Sequence, residues 1–290
     1  MKEHEGYVSV PGGRVWYRSV GEGGVPLLVL HGGPGFCHDY LEPLEDLADR
    51  RQVVFFDQLG CGLSDRPDDT SLWTADFFVD EVDVVREALG LDYHHLFGNS
   101  WGGMLAMDYM IQRKPQLASV TVSNSPGSMA RFVADCERLL SELPVDVQRT
   151  IKWHEERGYY SCMEYQGAVA YWYQKHMCRV SPWPDGLERS LAKAGMQTYE
   201  TMWGPGDFHV TGNLRDWDVT ARLHEITVPT LFIAGEHDEM TPEHVHDLHR
   251  LVPNSEYILY KGVAHMPFYE AHDRFIADVN GFFDRVEKAR

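Results

Sequence analysis

Ser100 stands at the centre of a Gly-x-Ser-x-Gly pattern, residues 98–102, between an apolar run and a helix-like run. A serine in this context is a candidate nucleophile, because a sharp strand-to-helix turn exposes its hydroxyl and the flanking glycines let strand and helix approach closely. A serine hydroxyl is a weak nucleophile near neutral pH and needs a base to accept its proton. The pattern therefore predicts acyl-transfer chemistry if a base, an acid and oxyanion donors occur elsewhere in the chain.

Two further side chains complete that requirement. Asp238 comes shortly after the apolar run 228–234, and His265 comes after the run 256–260. The chain order Ser, Asp, His is the order found in α/β-hydrolase sheets. We expect His265 to take the proton of Ser100 and return it to the leaving group, while Asp238 orients the imidazole and stabilises its cation.

A glycine-rich loop supplies candidate oxyanion donors. Residues 31–35, His-Gly-Gly-Pro-Gly, follow the apolar run 27–30. Glycines in such a turn can present backbone N–H groups that side chains would block. We expect the N–H groups of Gly33 and Trp101 to form the oxyanion hole. An aspartate nucleophile, which other α/β-hydrolases use, is disfavoured by the serine at position 100.

Apolar runs alternate with stretches of helical periodicity, which predicts a mostly parallel sheet flanked by helices. The predicted strands are 14–19, 26–30, 52–57, 94–98, 118–123, 228–235 and 256–260. Helices are predicted over about 75–89 and 100–113. Because ligands bind at the carboxyl ends of the strands in an open parallel sheet, Ser100, Asp238 and His265 are expected to converge there.

Residues 125–222 differ from the rest of the chain, since they show helical periodicity without buried strands and are rich in aromatic and charged residues. We therefore predict an α/β-hydrolase fold whose core comprises residues 1–124 and 223–290. Residues 125–222 form an inserted helical cap in this prediction and are called the cap segment below. We expect the aromatic run 159–173 to pack the cap segment against the core.

Acidic side chains outnumber basic ones by 44 to 26 in the 290 residues, which gives a net charge of -18. Such a charge repels phosphate backbones and anionic lipids, so neither nucleic acid nor a membrane is expected as a partner. No apolar run reaches the roughly 18 residues of a membrane span, and the first residues lack the pattern of a secretory signal. We expect a cytoplasmic protein.

Neither the cysteines nor the clustered histidines form a pattern that predicts a metal site, and we expect no cofactor. The five cysteines, at positions 37, 61, 136, 162 and 178, include no C-x-x-C pair and are expected to be reduced thiols that mostly pack. His244, His246 and His249 lie close in sequence, but only His246 and His249 would share a helix face. We therefore expect no metal site at these histidines.

The chain resembles the proline iminopeptidases, or prolyl aminopeptidases, which are serine peptidases of the α/β-hydrolase fold, and the related L-amino-acid amidases. The resemblance covers nearly the whole chain and includes residues 31–35, 57–64, 98–103 and 235–239, together with 176–179, 183–184 and 202–208 in the cap segment. It implies cleavage of a residue with a free N-terminal amine, often proline, from a peptide or small amide.

The resemblance also implies anionic groups that bind the substrate amine. Glu239 matches one family glutamate, and Asp207 stands where the second glutamate, in Gly-Pro-x-Glu-Phe, is expected. The shorter side chain at position 207 would move or enlarge the ammonium site, so strict proline preference does not follow. Tyr199 aligns with a family tyrosine, and Tyr199 and Trp203 either line the substrate pocket or pack inside the cap segment. Gly32 is also expected among the substrate-binding residues.

Two other functions fit the same residues. One is an esterase or lactonase of specialised metabolism that keeps the triad of Ser100, Asp238 and His265 and has a changed cap segment. The other is a non-catalytic binder of small ligands, although such a chain would usually have lost a triad residue. We expect the substrate to be a short peptide or amino-acid amide with a free amine. The protein is expected to be a monomer or a small homo-oligomer.

Overall fold

The computed structural model describes residues 2–206, 208 and 210–289, and an eight-stranded sheet lies at its centre. The strands are β1 (Glu3–Val10), β2 (Gly13–Val20), β3 (Leu27–Leu30), β4 (Val53–Phe56), β5 (His95–Asn99), β6 (Ser119–Ser123), β7 (Thr230–Gly235) and β8 (Ser255–Tyr260). Their order across the sheet is β1-β2-β4-β3-β5-β6-β7-β8. The strands from β3 to β8 pair in parallel, whereas β2 pairs antiparallel with both β1 and β4. The predicted mostly parallel sheet is therefore confirmed.

The N-terminal strand β1 is absent from the expectations drawn from sequence. It forms a hairpin with β2, in which Val10 pairs with Gly13 across a two-residue turn. Gly12 in this turn has a φ of 90°, which favours glycine. Most side chains of β1 lie outside the core, so its residues show little of the apolar alternation that identifies a strand.

Ten α-helices occur in the described residues. They are α1 (Ala75–Ala88), α2 (Trp101–Arg113), α3 (Met129–Ser141), α4 (Val145–Glu155), α5 (Met163–His176), α6 (Asp185–Ala192), α7 (Met196–Met202), α8 (Pro242–Leu251), α9 (Pro267–Glu270) and α10 (His272–Lys288). More tightly wound 3-10 segments cover His38–Asp49, Thr70–Leu72 and Thr220–Glu225. The two helices predicted in the core begin and end within a residue of α1 and α2.

Both faces of the sheet are buried, as the alternation of side chains along β3 shows. Leu28 and Leu30 pack in one apolar cluster, which includes residues of α1, α2 and α8. Leu27 and Val29 pack in the other, which includes residues of α10 and of the 3-10 segment His38–Asp49. Since helices cover both faces, only the ends of the strands remain for a site.

The cap segment contains α3 to α7 and lies in the chain between β6 and β7. Within the aromatic run 159–173, Tyr165 and Trp172 are buried, but Tyr159 and Tyr171 are 56% and 48% exposed. The expectation that this run packs inward is therefore wrong for two of its tyrosines. No helix in the described part of the chain is long and apolar enough to cross a membrane.

Candidate active site

Ser100 occupies the sharp turn between β5 and α2, with φ 57° and ψ -124°. A positive φ is strained for a residue with a Cβ, and hydrogen bonds hold the turn in place. The N–H of Ser100 donates to the Ser123 carbonyl at 3.0 Å, and the N–H of Gly103 donates to the Ser100 carbonyl at 2.9 Å. A Cβ on Gly98 would overlap the Gly102 carbonyl, so strand and helix need glycine here.

His265 and Asp238 form a buried hydrogen-bonded pair at the same edge of the sheet. Nδ1 of His265 lies 2.8 Å from Oδ1 of Asp238, and the residues are 3% and 1% exposed. Asp238 lies in the loop after β7, and His265 lies in the loop after β8. Ser100 and His265 both line one cavity. The structure thus brings the three residues predicted from strand ends to one site.

The surroundings of His265 raise its pKa above the ordinary value. Burial works to lower this pKa, but the charge and hydrogen bond of Asp238 oppose burial, with smaller contributions from Glu239 and Glu270. The net direction is upward. An imidazole whose cation is stabilised in this way is suited to accept the proton of a nucleophile during attack.

Asn124 binds the carboxylate oxygen of Asp238 that His265 does not contact. Its Nδ2 donates to Oδ2 of Asp238 at 2.6 Å, while the N–H of Met240 donates to Oδ1 at 3.0 Å. Asn124 directly follows β6 and has a φ of 54°. Sequence reasoning missed this residue, although a polar side chain just past a buried strand was the signal that identified Asp238 and His265.

Glu270 supports the loop that carries His265. Its carboxylate accepts the N–H of Ala264 at 3.1 Å and the N–H of Met266 at 3.4 Å, which are the residues on either side of the histidine. Burial raises the pKa of Glu270 to about 7, against the opposing effect of these backbone hydrogen bonds. Its sequence position, at the end of the short helix α9, offered no signal of this role.

The glycine-rich loop after β3 is held by the ring of His31. Nδ1 of His31 lies 2.9 Å from the Gly32 carbonyl, and Nε2 accepts the N–H of Gln58 at 2.9 Å. Burial lowers the pKa of His31 to about 4, so the ring is neutral and carries its hydrogen on Nδ1. Sequence reasoning placed this histidine only within the loop motif.

Gln58 and Tyr40 join the glycine-rich loop to the turn at Ser100. The side chain of Gln58 accepts the indole N–H of Trp101 at 2.9 Å and donates to the His31 carbonyl at 3.1 Å. The Tyr40 hydroxyl accepts the Gly32 N–H at 2.7 Å and donates to Oδ1 of Asn99 at 2.9 Å. The N–H of Gly32 is therefore used within the protein, although Gly32 itself lines the cavity.

The predicted oxyanion donors lie on the two segments that are joined in this way. Gly33 lines the cavity with Ser100 and has a φ of 116°, a backbone conformation that favours glycine. Trp101 is the first residue of α2, and N–H groups in the first turn of a helix have no partner within that helix. Helix N-termini also favour negative charge, which suits an oxyanion.

Three of the four side chains expected near the substrate line the same cavity, namely Tyr199, Trp203 and Glu239. The fourth, Asp207, lies outside the described residues. The cavity measures about 50 Å³. Tyr199 stacks on Trp203 with ring centroids 6.4 Å apart, so these residues contribute to both the cavity wall and the packing of the cap segment.

The remaining walls of the cavity are largely aromatic and thioether side chains. They are Phe36, Tyr40, Tyr173, Met177, Met240 and Met266. Phe36 stacks on Tyr199 with ring centroids 6.2 Å apart, which joins the loop after β3 to the cap segment. The cavity therefore combines an apolar wall with the carboxylate of Glu239 and the polar groups of Ser100 and His265.

Comparisons with known proteins agree with this geometry. Residues 25–155 match the family model described as the alpha/beta hydrolase fold. A proline iminopeptidase from Heyndrickxia coagulans is 39% identical to this chain over 285 residues, covering 97% of this chain and 99% of that protein. The chain belongs to the proline iminopeptidase family. The resemblance stated from sequence, the α/β-hydrolase fold and the hydrolase class are confirmed.

Two solved structures are similar to this chain over nearly its whole length. The crystal structure of VinJ matches with a TM-score of 0.94 and 37% identity, covering 98% of this chain and 99% of that one. The structure of proline iminopeptidase from Mycobacterium smegmatis matches with a TM-score of 0.92 and 36% identity, covering 99% of both chains. Two esterases at 16% and 24% identity share the fold alone.

In this member of the proline iminopeptidase family, the histidines that are clustered in sequence contact neighbouring rings and backbone. His246 and His249 have ring centroids 5.8 Å apart, and both rings lie against Tyr257. His244 is buried and accepts the N–H of Gly127 at 3.2 Å.

A second group of potential metal ligands comprises His38, Asp39 and Glu42, whose ligand atoms lie within 4.8 Å of one another. Arg189 pairs with both Asp39 and Glu42, and Lys193 pairs with Asp39 at 2.7 Å. Arg189 and Lys193 therefore already neutralise these carboxylates, and the ion pairs join the 3-10 segment His38–Asp49 to the C-terminal end of α6.

The five cysteines are free thiols, as expected. The thiol of Cys37 donates to Asp39 at 3.0 Å, and that of Cys61 donates to the Gln58 carbonyl at 3.1 Å. Burial raises the pKa of both thiols well above the ordinary value. Neither thiol therefore forms the thiolate that nucleophilic catalysis requires.

Proposed function

We propose that this chain is a serine aminopeptidase or amino-acid amidase that hydrolyses the amide bond after a residue with a free amine. One observation carries the proposal: Ser100, His265 and the carboxylate-bearing Glu239 line a single cavity. The names of its relatives support the same activity, since the Heyndrickxia coagulans protein is a proline iminopeptidase.

In the first step, Nε2 of His265 accepts the proton of the Ser100 hydroxyl as its oxygen attacks the amide carbonyl carbon. The carbonyl oxygen gains negative charge, which the N–H groups of Gly33 and Trp101 stabilise. Asp238 stabilises the imidazolium that forms, and its 2.8 Å hydrogen bond keeps the ring oriented.

The tetrahedral intermediate collapses when His265 donates its proton to the nitrogen of the leaving group. The carbon–nitrogen bond breaks, and the acyl group remains on Ser100 as an ester. Water then attacks this ester with His265 as the base, which releases the free amino acid and restores the serine hydroxyl. Each proton taken in attack is returned within the same half-reaction.

Recognition of the substrate ammonium falls to Glu239 and Asp207 in this proposal. A carboxylate near the nucleophile attracts an ammonium group and fixes the position of the adjacent carbonyl. Tyr199 and Trp203 would form the wall against which the acyl residue packs. The substrate is therefore a small molecule whose reacting residue carries a free amine.

The cap segment is proposed to be an inserted unit, residues 125–222, on a core of 1–124 and 223–290. Contacts between its two ends support this division. The N–H of Met129 donates to the Trp217 carbonyl at 2.9 Å, and the N–H of Val219 donates to the Gly127 carbonyl at 3.0 Å. An insertion whose ends meet in this way can be accommodated in a loop of an existing sheet.

A panel of substrates tests the proposed function. We expect aminoacyl anilides and amides with a free amine to be hydrolysed, with kcat/KM about 10- to 100-fold higher than for their N-acetylated forms, because acetylation removes a charge-assisted hydrogen bond. Ser100→Ala is the control for the nucleophile and should lose both the activity and labelling by a fluorophosphonate.

Three results would contradict the proposal. Equal hydrolysis of N-acetylated and free-amine substrates would remove the role of Glu239 and Asp207 in amine binding. Rapid hydrolysis of p-nitrophenyl esters with no hydrolysis of any aminoacyl amide would instead identify an esterase. Retention of activity in Ser100→Ala would exclude the acyl-enzyme on this residue.

A further inference from the structure

Trp172 of α5 makes a polar contact with the carboxylate that we propose binds the substrate amine. Its indole Nε1–H donates to Oε2 of Glu239 at 3.0 Å. Trp172 is fully buried, whereas Glu239 is partly exposed and lines the cavity with Ser100. The indole therefore holds Glu239 from the protein interior while the carboxylate remains beside the nucleophile.

The same helix holds the loop of Glu239 at a second point. His176 lies one turn beyond Trp172 on α5, and their ring centroids are 4.4 Å apart. Nδ1 of His176 lies 2.7 Å from the His237 carbonyl. Burial lowers the pKa of His176 to about 4, so the neutral ring donates its Nδ1–H to this carbonyl. One face of α5 thus fixes the backbone of the loop at position 237 and the side chain at position 239.

Trp172 also contacts the part of the cap segment that carries the second proposed amine ligand. The rings of Phe208 and Trp172 pack in a T-shaped arrangement, with ring centroids 4.8 Å apart and an interplanar angle of 84°. Phe208 is the chain neighbour of Asp207. Trp172 is therefore in contact both with Glu239 and with the residue next to Asp207.

We propose that Trp172 is a positioning residue that determines selectivity for a free amine by fixing the orientation of the Glu239 carboxylate. This inference rests on the proposed function of Glu239. A glutamate side chain has several rotamers of similar energy, and ordering it on substrate binding costs affinity. A hydrogen bond that already holds one carboxylate oxygen removes part of that cost, so the ammonium group meets a preorganised acceptor.

The test replaces Trp172 by phenylalanine, which keeps an aromatic ring and removes the N–H. The measured quantity is the selectivity ratio, kcat/KM for an alanyl or prolyl anilide divided by kcat/KM for its N-acetylated form. We expect this ratio to fall about tenfold, mainly through a higher KM for the free-amine substrate. A defect that lowers all activity equally leaves the ratio unchanged, so the ratio separates positioning from a general loss of structure.

A matched control is available within the cap segment. The indole N–H of Trp217 also donates to a carboxylate, Oδ2 of Asp108, at 2.7 Å, but neither residue lines the cavity. Trp217→Phe removes the same kind of hydrogen bond outside the lining of the cavity. We expect Trp217→Phe to leave the selectivity ratio at the wild-type value.

A double-mutant cycle with Glu239→Gln tests whether Trp172 acts through Glu239. Glutamine keeps an oxygen that can accept the indole N–H but removes the negative charge. In the Glu239→Gln background, Trp172→Phe should change the selectivity ratio by less than about twofold, since the charge that it positions is gone. An equal effect of Trp172→Phe in both backgrounds would overturn the proposal.

If Trp172→Phe does not fold, incorporation of the benzothienyl analogue of tryptophan at position 172 removes the N–H with little change in shape. The inference fails if either folded variant keeps the wild-type selectivity ratio. Failure of the proposed function is a separate result, because it appears as a wild-type enzyme that does not distinguish free from acetylated amines. That result would overturn the inference as well.

Discussion

The main-chain N–H of His265 donates a hydrogen bond of 3.1 Å to the carbonyl of Met177, the residue that follows α5. The proposed catalytic base is therefore attached to the cap segment through its own backbone. Met177 in turn donates its N–H to the Tyr173 carbonyl at 2.9 Å, and both residues line the cavity. A shift of the C-terminal end of α5 would move the loop of His265.

Together with Met177, which follows it, α5 contacts the loops of both Asp238 and His265. Its residues Trp172 and His176 contact the loop after β7, and Met177 contacts the loop after β8. Residues of the cap segment thus line the cavity and also set the positions of groups within it. Changes in α5 are expected to affect turnover and selectivity even where they touch no substrate.

Substitutions of Asn124 should separate the support of Asp238 from backbone strain. Both Asn124→Gly and Asn124→Ala remove the 2.6 Å hydrogen bond to Asp238, so kcat should fall about tenfold in each. Alanine should cost about 1 kcal/mol more stability than glycine, because φ at this position is 54°. Steady-state kinetics and urea unfolding measure the two effects. An unchanged kcat in Asn124→Gly would show that Asp238 needs no such support.

The convergence of the three proposed catalytic residues was predictable because the hydrophobic pattern alone locates the ends of buried strands. Ser100, Asp238 and His265 each follow such a strand, and parallel pairing brings those ends to one edge. The same pattern failed for β1, whose polar residues gain their conformation from pairing with β2. Strand pairing depends on two segments together, so the sequence of one segment alone does not predict it.

The supporting residues could not be found in this way, because their roles depend on contacts between distant parts of the chain. Asn124 reaches Asp238 across 114 positions, and Trp172 reaches Glu239 across 67. Nothing in the local sequence of Trp172 distinguishes it from Tyr171, which is 48% exposed. Which aromatic side chain turns inward is decided by how α5 packs on the loop after β7.

The acidic limb of the pH profile should report His265. Because its pKa is raised and only the neutral ring can accept a proton, kcat/KM should fall as pH decreases through that raised value. Glu270→Gln removes a partly ionised carboxyl group that contributes to this raised pKa, so the limb should move slightly to lower pH. Glutamine keeps one oxygen that can accept the N–H groups of Ala264 and Met266, so kcat above the limb should change little.

Glu236→Gln is the matched control for this shift. Glu236 is an exposed carboxylate that also accepts a backbone N–H, that of Gly262 at 2.7 Å, and it is not among the groups that raise the pKa of His265. Its pH profile should coincide with that of the wild type. An acidic limb that stays in place or moves to higher pH in Glu270→Gln would contradict the assignment of the limb to His265 and its neighbours.

Glu81 of α1 should make the stability of the fold depend on pH. It is 1% exposed, its Oε1 accepts the N–H of Leu59 at 3.0 Å, and Oε2 has no hydrogen-bond partner among the described residues. Burial raises its pKa to about 8 from an ordinary value of 4.5, although the Leu59 hydrogen bond opposes this shift. Between these pH values the folded chain keeps a proton that the unfolded chain releases. Stability should therefore fall as pH rises through this window, by at most about 1.4 kcal/mol per pH unit.

Glu81→Gln keeps an acceptor for the Leu59 N–H and removes the titration. Urea unfolding at pH 5.5 to 8.5, roughly the window in which a carboxyl group with such a raised pKa changes stability, should show the variant gaining on the wild type as pH increases. Above about pH 8 the difference should level off, because Glu81 is then ionised in both states. A wild-type stability that stays parallel to that of Glu81→Gln across this range would mean that Glu81 is ionised in the folded protein throughout.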